Sequence, residues 1–239
     1  MSTRSTVPPG ALGPPDPAPT RGDSARGKPR QGKAERTRRK LLDAAEQIFA
    51  AVGYHDASIV KITEAADVAQ GTFYLYFSSK HEAFDEVVAD LNRRVRSAMS
   101  EAARGATSRL EAERLGFGGF FRFTAEHPAL YRVIRQAEFV SPTALRNHYE
   151  MVLSHYAPFL EEAMETGEVT PGDPLVLAWS LAAVGEAIGM RWILWNEEHE
   201  VPPQVFEEMM AIIARMLGAS PEATHVRGDE EVAPDEDRP

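Results

Sequence analysis

Gln70, Thr72, Tyr74 and Lys80 bring a carboxamide, two hydroxyls and an ammonium into one short stretch. A glutamine amide offers a donor and an acceptor together, which is what a base edge presents in a DNA groove. The hydroxyls of Thr72 and Tyr74 suit phosphate oxygens, and Lys80 at a helix start adds charge to the helix-end dipole for a phosphate contact. Between them, Leu75 either touches a thymine methyl or is simply exposed. Tyr74 and Tyr76 either contact DNA or pack within their own small domain. None of these groups is arranged to break a covalent bond. His148 and His155 stand seven apart and could share a helix face, but they have no third ligand and no matched acid. The chain shows no phosphate-binding glycine loop and no nucleophile motif. It has no cysteine, which excludes disulfides, thiolate zinc sites and cysteine nucleophiles. No catalytic residue, metal or cofactor is expected.

Such side chains must be held by a scaffold, and the surrounding spacing describes one. Ser58 precedes Ile59, Ile62 and Ala66 as an N-cap, and those three share a helical face. Asp67 stands where that helix stops, with a side chain that tolerates left-handed backbone. Val68 then turns toward the core. Gln70–Tyr76 read as a second short helix with Phe73 and Phe77 inward, and Ser79 with Glu82 as a capping box for the next. Two short helices around a tight turn form a helix-turn-helix, whose second helix enters the major groove.

The stretch from about Arg36 to Val88 resembles the DNA-binding domain of the TetR family of bacterial repressors. The likeness is carried by Gly71-Thr72-Phe73-Tyr74-Leu75-Tyr76-Phe77 with Ser79-Lys80, and by Phe49-Ala50-Ala51-Val52-Gly53-Tyr54. Ala69 departs from the Ser or Thr that often caps the recognition helix, a loss of roughly 1 kcal/mol at most. Asp67 replaces a frequent Gly. The resemblance implies DNA contacts at Gln70, Thr72, Tyr74, Leu75, Tyr76 and Lys80, with Arg36, Arg39 and Lys61 as backbone anchors.

The 239 residues are 43% hydrophobic and carry a net charge of −10, which is unevenly spread. Residues 1–40 carry ten Lys or Arg against three acids, a net +7, and residues 218–239 carry −5, leaving −12 for residues 41–217. A basic front end on an acidic body orients the molecule toward phosphate. Residues 1–32 are rich in Pro, Gly, Ser and Arg and are expected to be a disordered basic arm. A helix-turn-helix domain is expected over 33–80, a helical ligand-binding and dimerisation domain over 81–217, and a disordered acidic tail over 218–239. No uninterrupted apolar run approaches the ~20 residues that span a bilayer, and no secretory h-region opens the chain. A cytoplasmic protein with no membrane partner is expected.

Helices are expected at about 34–52, 80–103, 108–126, 128–138, 142–166, 174–197 and 203–217, with Pro at starts and Gly at stops. With the two helices of the motif, the fold class is all-α with about nine helices. Leu41, Ala45, Ile48 and Val52 mark the buried face of the first. Arg93, Arg94 and Arg96 on the fourth are either solvated or paired with acids of the body. The 174–197 segment is apolar almost all round, so it must be covered on more than one side. Together with the last helix it forms either an intrachain core or, as the resemblance implies, a dimer interface through Leu181, Gly185, Ile188, Gly189, Phe206, Met209 and Ile213. In the TetR family the last two long helices make such an interface.

Gly116, Gly118 and Gly119 within one helix are costly, about 1 kcal/mol each relative to Ala. Either a neighbouring helix passes closely there or a ligand needs the room. The aromatic residues nearby, including Phe123 and Phe139, are either core or the lining of a cavity. A ligand set of Phe117, Phe120, Phe121, Tyr131, Ile134, Arg135, Tyr149 and Trp192 is expected. Arg122, Arg132, Arg135 and Arg191 either meet an anionic ligand or balance the acidic body. The runs Glu126-His-Pro-Ala-Leu-Tyr-Arg-Val-Ile-Arg and Gly-Met-Arg-Trp-Ile-Leu-Trp resemble the subgroup that responds to fatty acyl or aryl coenzyme A thioesters. The resemblance implies a ligand-responsive regulator, a repressor, binding a palindromic double-stranded operator as a homodimer and released by a small apolar effector such as an acyl-CoA. The alternatives are a constitutive DNA-binding architectural or partner-recruiting protein with a filled core, and an all-α carrier or enzyme domain.

Overall fold

Apolar residues at three- and four-residue intervals build nine α-helices and no strand among the described residues, 28–218 of a computed structural model. The basic arm over residues 1–27 and the acidic tail over 219–239 lie outside the described residues. The chain divides into two compact units, Met1–Thr37 and Arg38–Pro239.

The first helix, α1 (Lys28–Asp56), begins inside the stretch expected to be the arm. It buries Leu41, Leu42, Ala45 and Phe49 as their spacing predicts. Val52 is exposed instead, because helical geometry breaks at the next residue, where Gly53 takes φ 80° and ψ 162°. α2 (Ile59–Ala65) starts on Ser58, whose hydroxyl accepts the Lys61 N–H at 3.2 Å. Asp67 adopts the left-handed φ of 54° that the turn requires.

The next helix, α3 (Gln70–Phe73), is shorter than the Gln70–Tyr76 expected. Ala69 supplies no side-chain cap, and the chain beyond Phe73 is held by tighter bonds, Leu75 N–H to Thr72 O at 3.2 Å and Tyr76 N–H to Phe73 O at 3.0 Å. The long α4 (Lys80–Ala102) is capped by the Ser79 hydroxyl, which accepts the Glu82 N–H at 3.1 Å. The Glu82 carboxylate accepts from the Ser78 amide at 2.6 Å, one residue short of the box the sequence suggests.

Phe73 and Phe77 are buried with Leu41, Phe49, Ile62, Phe84 and Leu91. This core continues into Phe123, Leu130, Val133 and Ala137, on α5 (Arg109–Glu126) and α6 (Ala129–Val140). The helix-turn-helix and the helices after residue 80 therefore share one packed interior. A second core joins Phe117 and Phe121 to α7 (Pro142–Glu165), α8 (Pro174–Gly189) and α9 (Pro203–Leu217). The segment expected as one helix over 174–197 leaves α geometry after Gly189 and continues as a π turn, Met190–Leu194, closed by Trp195 N–H to Met190 O at 3.1 Å. By length and composition Pro174–Leu194 could cross a membrane, the one such helix among the described residues. It carries Glu186 and Arg191, and its Leu181, Gly185 and Gly189 are packed inside the subunit.

Candidate nucleic-acid interface and effector cavity

The burial of Phe73 and Phe77 fixes which side of the recognition segment is left outside. Gln70, Tyr74 and Leu75 are exposed, Tyr74 by 55% and Leu75 by 78%. Thr72 is half-buried. Tyr76 is also half-buried and packs against the core, so its ring supports the domain. Leu75, just beyond the end of α3, leaves an apolar point beside two hydrogen-bonding side chains.

The cations expected around it are placed differently. Lys80 donates to the carbonyl oxygens of Tyr54 at 2.7 Å and Ala57 at 2.8 Å, and its ammonium lies 4.3 Å from the Tyr54 ring centre. It closes the end of α1, where carbonyls lack helical partners. Lys61 donates to Asp56 O at 2.9 Å. Arg39 is taken up by Asp43, at 2.8 Å from Nε, and by Asp90, at 2.7 Å from Nη1. Those carboxylates raise its pKa further, so its charge is committed to the α1–α4 contact. Arg36 is exposed. Asp90 is itself buried and also meets Arg93 at 2.7 Å, while Arg94 reaches Glu46 at 2.7 Å. Two arginines of the α4 patch are thus paired with acids, and Arg96 is not.

Arg96 faces a cavity of about 100 Å³ between α4, α5, α6, α7 and α8. Of the expected ligand set, Phe117, Phe120, Tyr131, Ile134 and Tyr149 line it, together with Val95, Met99, Leu130, His148, Val152 and Glu186. Three expected members lie elsewhere. Phe121 points into the second core, its ring 6.1 Å from Phe206. Arg135 sits outside, with Nη1 2.9 Å from the Met190 sulfur. Trp192 lies beneath Arg191 on the π turn, 5.4 Å from guanidinium carbon to ring centre. Neither Arg122, Arg132 nor Arg191 lines the cavity. Phe139 is 83% exposed at the end of α6. The sequence signal for Arg96 was available: Val88, Leu91 and Val95 mark the inward face of α4, and Arg96 borders it.

The three glycines of α5 do not border this cavity. Added side-chain carbon at Gly119 would lie 2.7 Å from the Ala102 methyl and 2.9 Å from Ala98 O, so α4 passes closely there. Nothing lies within 4 Å of the corresponding position at Gly116 or Gly118. The glycines that shape the cavity are on α8, where Gly185 receives the Phe117 ring and Gly189 the Tyr131 hydroxyl, closer than any side chain would allow. That use of small residues places them inside the subunit. Leu181, Met209 and Ile213 are buried there too, and Ile188 and Phe206 are partly buried on the same core. Leu181, Gly185, Gly189, Met209 and Ile213 are covered within one subunit, while Ile188 and Phe206 keep part of their surface. The apolar side chains that α8 and α9 do expose are Leu175, Val176, Trp179 and Ile212.

The cavity polar groups are perturbed by their surroundings. Tyr149 donates to Glu186 at 3.0 and 3.1 Å, and burial followed by the Glu186 charge raises its pKa. Burial, then Glu186, does the same to Tyr131. Burial, then the nearby Arg96 charge, pushes His148 down to about 4, so its imidazole is neutral near pH 7. His155 instead lies at the surface, 2.9 Å from Met151 O, so the two histidines do not form a site.

Residues 41–87 match the family described as bacterial regulatory proteins, tetR family. The HTH-type transcriptional repressor DhaR of Mycobacterium sp. (strain GP1) is 30% identical over 145 residues, 55% of this chain and 69% of that protein. The fatty acid metabolism regulator protein of Bacillus subtilis (strain 168) is 24% identical over 168 residues, 68% of this chain and 86% of that protein. The crystal structure of the transcriptional regulator FadR from Bacillus subtilis in complex with stearoyl-CoA has a TM-score of 0.65 at 21% identity, with 74% of this chain and 98% of that one covered. The helix-turn-helix, the all-α body and these relatives agree: the chain belongs to the tetR family of bacterial regulatory proteins.

Proposed function

We propose that this regulator is a homodimeric, cytoplasmic repressor that leaves a palindromic operator when a small apolar effector enters the α4–α8 cavity. Family membership makes the chain a transcriptional regulator and not an enzyme. The observation that carries the DNA reading is the recognition segment. Phe73 and Phe77 are locked into the core, while Gln70, Tyr74 and Leu75 project from the same turns. Gln70 then reads a base edge, Leu75 meets a thymine methyl, and Thr72 and Tyr74 hold phosphates. Arg36 supplies a backbone charge. Lys80, Lys61, Arg39 and Tyr76 act one step back, by fixing the end of α1 and the α1–α4 contact on which the recognition segment rests.

Two half-sites about one helical turn apart need two copies of that segment. The exposed Val176, Trp179 and Ile212 are the surface on which the second copy is proposed to sit. An effector bound between α4 and α8 acts on the spacing of the two recognition segments by favouring one arrangement of α4 and α6. An acyl- or aryl-coenzyme A thioester is the first class to try, because the solved FadR complex holds stearoyl-CoA.

Selection of bound sequences from a random duplex library by the purified full chain tests this reading. Recovery of a palindrome, bound by a species of twice the subunit mass, is the expected result. Val176→Glu should yield a monomer by light scattering and abolish operator binding. Recovery of no preferred sequence would overturn the proposal. A preferred sequence that no candidate effector releases would favour a constitutive DNA-binding protein.

A further inference from the structure

The effector reading leaves open what the cavity recognises, and its polar atoms narrow the choice. Among the described residues, Arg96 Nε, His148 Nδ1 and the Tyr131 hydroxyl are buried without a hydrogen-bond partner, and all three residues line the cavity. Buried polar atoms are nearly always partnered, and each one left alone is costly. Thr124 donates its hydroxyl to Phe120 O and Phe121 O, and its oxygen stays open to the Tyr131 hydroxyl. Among the described residues Arg96 makes no ion pair, unlike Arg93 and Arg94 beside it. The carboxylate on the cavity wall, Glu186, has both oxygens engaged by the Tyr149 hydroxyl. The site therefore offers an unmatched cation, and asks for an acceptor.

Size and surroundings restrict the rest of the ligand. An engineered cavity of roughly 150 Å³ admits benzene, and this one is about 100 Å³. Its walls are set by rings seated against Gly185 and Gly189. His148 also lines an outer groove between α4 and α7 whose rim carries Glu82, Asp85, Glu86 and Glu150. Arg38 meets Glu86 at 2.9 Å and His81 meets Asp85 at 3.3 Å, which leaves Glu82 and Glu150 without a cation among the described ion pairs. The phosphates of a coenzyme A emerging past His148 would meet these carboxylates.

We propose that the cavity takes a compact free carboxylic acid with a short alkyl chain, with its carboxylate on Arg96. Phe117, Phe120, Leu130 and Ile134 enclose the apolar body. The inference rests on the effector reading and replaces a large thioester by a small acid.

Calorimetric titration of the full-length protein tests it directly, with butyrate and hexanoate as probes, their primary amides as neutral isosteres and stearoyl-CoA as the competing class. At least one acid should bind, and its amide should bind about tenfold more weakly or not at all, the value of one charge-assisted hydrogen bond. Arg96→Gln should erase the preference for acid over amide while keeping the wild-type melting temperature. Equal binding of acid and amide, an unchanged preference in Arg96→Gln, or binding of stearoyl-CoA alone would overturn the proposal. Because binding is read without DNA, a protein that takes an acid yet selects no operator would contradict the repressor reading and leave this one standing.

Discussion

The Gln136 side chain on α6 completes the broken end of α1: its carboxamide oxygen accepts the Tyr54 amide at 2.6 Å. Its nitrogen donates to Phe49 O at 3.1 Å, so one side chain replaces backbone bonds interrupted where Gly53 leaves helical geometry. The same helix presents Tyr131 and Ile134 to the cavity, which joins the cavity wall to the end of α1 through one short element. Gln136→Leu should therefore lower stability by about 1–3 kcal/mol, since two partly buried backbone groups lose their partners. It should also weaken the effect of ligand on operator binding more than it weakens ligand binding. Chemical denaturation and paired titrations with and without operator measure both. An unchanged denaturation midpoint would show that water replaces the amide without loss.

Lys80 and Tyr74 should separate folding from recognition. Lys80→Met removes the bonds to Tyr54 O and Ala57 O, and should cost roughly 1–3 kcal/mol in stability. Tyr74→Ala removes an exposed side chain and should leave the melting temperature within experimental error while reducing operator affinity. Gln70→Ala should relax base preference by roughly 1–3 kcal/mol at one position of the site. A Lys80→Met protein of wild-type stability would return that ammonium to the DNA surface.

Adjacent glycines on α5 should respond oppositely to the same substitution. Gly119→Ala places a methyl against Ala98 O and the Ala102 methyl and should destabilise by about 1–3 kcal/mol. Gly118→Ala meets nothing and should gain up to about 1 kcal/mol from helix propensity. Thermal unfolding of the two single variants decides it. Equal shifts would mean that α4 and α5 are not in close contact at this point.

His148 should give the protein an acid-side weakness. Its pKa falls from 6.5 to about 4 on burial beside Arg96, so the unfolded chain takes up its proton first. Stability is then unaffected above the unfolded value and declines as pH drops from about 6.5 toward 4, by a few kcal/mol at the acid end. Burial raises the pKa of Glu113, which has the opposite sign: its contribution is lost as pH rises above ordinary carboxyl values. The difference between wild type and His148→Phe isolates the histidine. A difference that stays constant between pH 4 and 7 would place His148 in contact with solvent in the folded state.

The sequence by itself determined the local structure. Ser58, Asp67 and Ser79 punctuate the motif by hydrogen bonds and backbone preferences that act within a few residues. Phe73 and Phe77 face inward because helical spacing allows one apolar side. Leu41, Leu42, Ala45 and Phe49 follow the same rule, as do Pro203 and Gly218 at the ends of the last helix. What a side chain meets across the molecule was decided only by tertiary structure, because sequence spacing fixes a face and not the neighbour opposite it. Lys80 reads as a phosphate ligand until Tyr54 and Ala57 arrive from α1 with carbonyls to be capped. Gly185 and Gly189 read as a surface for a second subunit until the Phe117 and Tyr131 rings fill them. Arg96 reads as one of three similar arginines on a helix. Asp90 on the same helix meets Arg93, Glu46 arrives from α1 to meet Arg94, and Arg96 faces a cavity walled by α5, α6, α7 and α8, helices whose packing no local pattern encodes.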